Sequence, residues 1–186
     1  MTDFRVVDST ARCQSAFLEL VDLQIEASDG ARFTRTVVRH PGAVVVVPVV
    51  DDDVILVRQF RAAVDRSLLE VPAGKRDIEG EAPETTAARE LEEEIGQSPG
   101  RLRKLCEFYN SPGFCDEHTH LYCADRLTPL PARHGVTAEE EAMTVERVPL
   151  AATGDLIAAG EIVDAKSIIG LLLTQALVAR ERDGGR

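Results

Sequence analysis

Hydrophobic and polar positions divide the chain into short extended runs at the front and helical runs toward the back. Residues 15–27 are largely apolar and lead into the turn Ser28-Asp29-Gly30. Phe33, Thr34, Thr36, Val37 and Val38 then continue, mostly β-branched, so the segment predicts a β-hairpin near the N-terminus. Pro41-Gly42 breaks the chain, and residues 43–50 form an eight-residue apolar tract that suits a buried strand. A further strand is predicted over 54–59. Between them lies Asp51-Asp52-Asp53, and adjacent side chains in a turn point apart, so these acids read as a solvated hairpin turn and not a metal cluster. Residues 68–71 are a short strand stopped by Pro72, and 73–80 are a loop. Pro83 suits the first turn of a helix predicted over 84–95, rich in Ala, Glu, Leu and Arg, which Gly96 ends. Strands are predicted at 102–109 and 118–124 around the loop 110–117, and a last strand at 144–148. The long stretch 127–142 carries Pro, Gly and Glu without periodicity, a pattern found in functional or disordered loops. A short helical stretch at 156–159 precedes a predicted amphipathic helix over 164–179, with Ala165, Ile168, Ile169, Leu172, Leu173 and Ala176 on one face. The polar tail from 180 is expected to fray. The pattern is that of an α+β domain, with no repeat and no low-complexity block.

At 186 residues and 44% hydrophobic, one globular domain with a sizeable core is expected. The formal net charge of −11 argues against nucleic acid or an anionic membrane as the main partner. Phosphate substrates stay open, because a bound cation reverses the local field. No signal-peptide layout and no run of about 18 apolar residues is present. The four cysteines, Cys13, Cys106, Cys115 and Cys123, contain no CxxC pair. Reduced thiols and a cytoplasmic protein are therefore expected.

The middle helix contains Arg89-Glu90-Leu91-Glu92-Glu93-Glu94-Ile95-Gly96. At 3.6 residues per turn Glu90, Glu93 and Glu94 share a face, where like charges repel. They also lie toward the C-terminal end, where the helix dipole disfavours anions. A divalent cation would account for the arrangement, since Mg²⁺ takes carboxylate oxygens together with water and substrate phosphate. A solvated acidic face is the alternative for the helix taken alone.

Upstream stand Gly74, six residues, Glu81, then seven residues before Arg89. With the helix, this resembles the Nudix box, G-x5-E-x7-R-E-U-x-E-E-x-G-U with U aliphatic. The first spacer is one residue longer, and Gln97 replaces the last aliphatic position. The resemblance implies an α/β/α sandwich with a mixed sheet, and hydrolysis of a nucleoside diphosphate linked to another group. It implies Mg²⁺ as cofactor, with Mn²⁺ a possible substitute. Glu90, Glu93 and Glu94 would be its ligands, joined by the backbone carbonyl of Ala73. Arg89 would hold a carboxylate by a bidentate pair, and Glu81 is read as structural. Cations bridging carboxylates and phosphates would cancel the charge that repels an attacking water and lower the pKa of a bound water.

Arg35 to Val44, Val57-Arg58-Gln59-Phe60-Arg61, Leu69-Glu70-Val71-Pro72-Ala73-Gly74 and Ser111-Pro112-Gly113-Phe114-Cys115-Asp116-Glu117 resemble the ADP-ribose pyrophosphatase branch of that family. So does the stretch from Gly160 to Lys166. Pro112 lies sixteen residues past Gly96, the usual marker of the branch. By resemblance Arg35 and Arg61 contact the nucleotide or its phosphates. Glu70 contacts substrate or forms a salt bridge. Pro112, Gly113 and Phe114 wall the terminal ribose, with Glu117 at the edge. The general base would be Glu140, with Glu139 and Glu141 as alternatives, on the loop after the box. Phe17 or Phe33 could stack on adenine or belong to the core. The branch also implies a homodimer through an N-terminal strand region, 1–40, ahead of a hydrolase domain, 41–180, and a polar tail, 181–186. The expected activity is Mg²⁺-dependent cleavage of ADP-ribose to AMP and ribose 5-phosphate. Alternatives are hydrolysis of another nucleotide sugar, such as ADP-glucose or GDP-mannose, or a non-catalytic nucleotide-binding regulator.

Overall fold

A computed structural model of the chain describes residues 3–131 and 141–184. Twelve strands lie in the described residues: β1 Phe4–Gln14, β2 Glu19–Ala27, β3 Arg32–Arg39, β4 Ala43–Val50, β5 Asp53–Arg61, β6 Arg66–Glu70, β7 Ala73–Lys75, β8 Gln97–Ser98, β9 Arg101–Tyr109, β10 His118–Asp125, β11 Thr128–Pro129 and β12 Thr144–Pro149. Three α-helices accompany them: α1 Pro83–Ile95, α2 Thr153–Ala158 and α3 Ala165–Gly184.

The chain forms two compact units, one up to Gly42 with Phe108–Thr119, the other Ala43–Glu107 with His120–Arg186. In the first, β1, β2 and β3 make an antiparallel sheet in sequence order. The expected hairpin is β2–β3, turning at Gly30 with φ of 83°. β1 was not expected: it is solvent-exposed along its whole length and lacks an apolar face to mark it. Phe114 and Asp116 exchange backbone hydrogen bonds with Val38, which ties the turn at 111–114 to β3.

In the second unit the main sheet runs β12-β5-β4-β10-β9, with β6 beside β5 and β7 beside β4. β4 is the buried centre, as its apolar run requires. Successive residues of a strand face opposite sides. Val44 and Val46 meet Ala87 and Leu91 of α1, together with Tyr122 and Ala124. On the other side, Gly170 of α3 lies so close to Val47 and Leu121 that a Cβ there would stand 2.8 Å from the Val47 Cγ2. The sheet is thus sandwiched between α1 and α3, the α/β/α layering that the resemblance implied.

Two expectations for α3 fail. The helix continues through Gly184, so most of the polar tail is helical. Its buried side consists of Ser167, Gly170, Leu171 and Thr174, whereas Leu172 and Leu173 are exposed. Close approach to the sheet selects small residues, so the most apolar stripe is not the face that docks. The acidic turn behaves as expected: Asp51 adopts φ of 56° in a two-residue hairpin loop, and Arg147 reaches Asp51 and Asp53.

Candidate active site

The site is built where α1 crosses β7. Helix α1 begins with Pro83 after Ala82 and ends at Gly96, whose φ of 64° closes the last turn by donating its N–H to the Leu91 carbonyl. Its buried side includes Thr86, Ala87 and Leu91, and Glu90 belongs to it as well, only 9% exposed. The Glu90 carboxyl lies directly on Gly74: a Cβ at that residue would stand 1.8 Å from the Glu90 Cδ. Glycine at 74 is what admits the carboxylate.

One turn further, Glu94 accepts the Ala73 N–H at 3.1 Å. The flanking Pro72 carbonyl takes the Val46 N–H at 2.9 Å, and Val45 pairs opposite Ala73. Ala73 therefore turns its N–H away from β4 and toward α1. In an extended strand the carbonyl of the same residue points to the same side.

Burial pushes the Glu94 carboxyl up to about 8, Glu90 adds to this by repulsion, and the Ala73 N–H and Arg61 oppose it. Burial likewise pushes Glu90 up to about 7, with Arg89 opposing and Glu93 and Asp77 reinforcing. Two carboxyls raised chiefly by burial are thus seated on neighbouring residues of β7, one laid on Gly74 and one on the Ala73 N–H. Arg89 stands between acids. One of its nitrogens lies 2.9 Å from both Glu90 and Glu93, and the other is 3.6 Å from Glu81 and 3.9 Å from Asp77. It bridges carboxylates one nitrogen at a time and does not fork onto one of them. Glu81 also accepts the Thr86 hydroxyl at 2.7 Å.

Glu93 is more exposed than its neighbours and turns to Arg89. Among the described residues no three His, Cys, Asp or Glu side chains are gathered as ligands of a single ion. The donor set nevertheless suits a hard cation: two glutamates and a carbonyl-bearing strand, all oxygen, in a spot where added positive charge would relieve both burial and repulsion.

Arg61 grips Glu70 with one edge of its guanidinium, Nε and Nη2 donating at 2.8 and 2.7 Å. Glu70 is 1% exposed, so of the two roles open to it, the salt bridge is the one observed. Arg35, Pro112, Gly113, Phe114 and Glu117 belong to the other unit. There Arg35 lies over the Phe33 ring, 4.7 Å from its centroid, and donates to the Thr34 carbonyl. Pro112 and Gly113 form the tight turn closed by Phe114 and Cys115 N–H groups on the Ser111 carbonyl, with Phe114 exposed. Phe17 is exposed beside His40, and Phe33 packs edge-on against Phe4, so neither is a core residue. Glu139 and Glu140 lie outside the described residues.

Sequence reasoning gave no contact to the polar residues at the start of α3: Ser167 accepts the Val71 N–H just past β6, Lys166 lies 4.0 Å from Glu70, and Asp164 bonds Ser167 and Lys166. Asp164 ahead of an apolar run is a helix-start signal, and it marks the cap but not the reach of Ser167 to Val71.

A family model described as NUDIX domain matches residues 39–168. The chain is 39% identical over 170 residues to an ADP-ribose pyrophosphatase of Bacillus subtilis, covering 88% of this chain and 91% of that one. It is 36% identical to an ADP-ribose pyrophosphatase of Mycobacterium tuberculosis, over 94% and 84% of the two chains. A crystal structure of an ADP compounds hydrolase superposes with a TM-score of 0.84 over 97% of each chain, at 24% identity. Among the described residues no helix is long and apolar enough to cross a membrane.

Proposed function

We propose that this chain, which belongs to the Nudix family, hydrolyses the pyrophosphate bond of ADP-ribose to AMP and ribose 5-phosphate. Nudix hydrolases generally use divalent metal ions. The observation that carries the reading is the Glu90–Gly74 and Glu94–Ala73 arrangement, a buried and a half-buried glutamate seated on one strand of backbone. Two relatives named for this reaction, alike over most of their length, support the substrate.

Glu90, Glu94 and the Ala73 carbonyl would hold Mg²⁺, with Glu93 joining when it leaves Arg89. When bound, the ion cancels charge on the two phosphates and polarises the bond to be broken. Arg89 offsets the mutual repulsion of Glu90 and Glu93 by placing one nitrogen 2.9 Å from each. Arg61, clamped by Glu70, presents a guanidinium whose free edge suits a phosphate oxygen. Glu140 is the proposed base that takes the proton of the attacking water. Arg35, Pro112, Gly113, Phe114 and Glu117 are the proposed contacts to the nucleotide and terminal ribose. The active form is proposed to be a cytoplasmic homodimer.

A product assay over ADP-ribose, ADP-glucose, GDP-mannose and diadenosine polyphosphates, with Mg²⁺ or Mn²⁺, tests this. ADP-ribose should give the highest kcat/KM, with AMP and ribose 5-phosphate in equal amounts. A higher kcat/KM for another nucleotide sugar would reassign the substrate. No turnover of any of them would favour a binding role.

A further inference from the structure

A run of polar contacts joins the first turn of α3 to the segment that carries Ala73. Asp164 stands just ahead of the helix, and its carboxylate accepts the Ser167 N–H at 2.9 Å and the Ser167 hydroxyl at 2.7 Å. Its backbone carbonyl takes the Ile168 N–H at 3.0 Å. This is a helix cap, with a carboxylate where the dipole favours one.

Ser167 does more than close the cap. It is wholly buried, and its oxygen accepts the Val71 N–H at 3.0 Å. A hydroxyl has one hydrogen to give. Because Asp164 takes that hydrogen, a lone pair is directed at Val71. Val71 is 1% exposed, so no water replaces that acceptor.

The four residues that follow β6 are thus held from three sides. Ser167 of α3 holds Val71, β4 holds the Pro72 carbonyl through Val46, and Glu94 of α1 holds Ala73, with Glu90 laid on Gly74. Lys166, in the same turn of α3, pairs with Asp164 and lies 4.0 Å from Glu70, the residue that grips Arg61. Of these holds, those from α1 involve the candidate ligands themselves. The hold from α3 comes from the opposite face of the sheet, through Ser167 bonds to Val71 and Asp164 and to none of the candidate ligands.

We propose that Ser167, oriented by Asp164, is a positioning residue for the metal centre. By fixing the Val71 N–H it sets where the Ala73 backbone stands relative to Glu90 and Glu94. The inference rests on the assignment of those three residues as metal ligands. It assigns to the first turn of α3 a part in metal affinity and not only in stability.

Direct Mn²⁺ binding to the full-length protein, followed by loss of the free-ion electron paramagnetic resonance signal, tests this alongside thermal unfolding. Ser167→Ala should weaken Mn²⁺ binding by about tenfold, as removal of outer-shell partners does elsewhere. Steady-state turnover should recover most of its kcat at high Mn²⁺, with KM for ADP-ribose little changed. Gln175→Ala is the control. It removes bonds to Leu150 and Thr153 further along the same helix, so it should lower Tm and leave Mn²⁺ affinity unchanged. If Ser167→Ala lowers Tm with wild-type Mn²⁺ affinity, Ser167 is only a helix cap and the proposal is overturned. Should Ser167→Ala not fold, Asp164→Ala keeps the serine oxygen but unties its hydrogen. A several-fold loss of affinity there supports the proposal, and an unchanged affinity overturns it. Absence of Mn²⁺ binding in the wild type would instead remove the ligand assignment, and this inference with it.

Discussion

A methyl group at residue 74 has no room, since it would stand 1.8 Å from the Glu90 Cδ. Gly74→Ala must therefore push the Glu90 carboxyl off the strand or lift α1 away from it. Misplacing a reacting group by an ångström costs about 10²-fold. We expect kcat to fall by about that factor while the far-ultraviolet circular dichroism stays that of the wild type. Turnover within threefold of wild type would show that Glu90 does not act from this position. Glu94 supplies a second test. Its carboxyl is buried and raised by burial and by Glu90, so a bound cation relieves an existing penalty. Mg²⁺ at about 100 times its dissociation constant should stabilise the wild type by about 2.7 kcal/mol. Glu94→Gln keeps an acceptor for the Ala73 N–H but not the charge. Its melting temperature should not respond to Mg²⁺, and its turnover should drop by about 10²- to 10³-fold. The residue identities were legible from the sequence because the spacing of Gly74, Glu81, Arg89, Glu90, Glu93 and Glu94 survives without any coordinates. That Glu93 faces Arg89 while Glu90 and Glu94 face the strand was not legible, because helical periodicity places all three on one side alike.

At the scale of elements, the start of α3 is held by a carboxylate, so its stability depends on pH. Burial works to raise the Asp164 carboxyl, but Lys166 and the two hydrogen bonds from Ser167 outweigh it and hold it below the usual carboxylate range. A carboxyl lowered in the folded state contributes stability above its unfolded pKa of about 3.9, and that contribution is lost as pH falls through the folded value. Asp164→Ala should cost about 1 to 2 kcal/mol at pH 7. The difference from wild type should shrink below about pH 4, as both chains come to lack the charge. Urea unfolding at pH 7 and pH 3 measures it, and an equal gap at both pH values would show that the charge is not what matters. The same helix shows where pattern reading goes wrong. Ile168, Ile169, Leu172 and Leu173 form the more apolar stripe, yet Ser167, Gly170, Leu171 and Thr174 are buried. Small residues win at that contact because Gly170 passes within a Cβ's width of Val47. Helix α1 follows its pattern more closely because its buried side is marked by the apolar residues Ala87 and Leu91.

At the scale of the whole molecule, the three-stranded sheet at the N-terminus presents β1 as an edge strand exposed along its length, with Phe4 and Val6 in the open. A long exposed edge with apolar side chains is a surface that proteins usually cover. Multi-angle light scattering at micromolar concentration should therefore give twice the 20.3 kDa of the full chain, and a variant lacking the first 14 residues should shift toward the mass of its own, lighter monomer. A full-length monomer with undiminished activity would count against the dimer. By itself the sequence determined the family, the order of most strands, the boundaries of α1 and the charged residues of its box. Each of these is written in local spacing, through a turn residue, an apolar run or a helical period. Only the tertiary structure decided which carboxyls are buried on β7, which side of α3 meets the sheet, that Arg61 is clamped by Glu70, and that Ser167 reaches Val71 from 96 positions away. Those are contacts between residues far apart in the chain. They are set by how closely the layers pack, and no local pattern carries that distance.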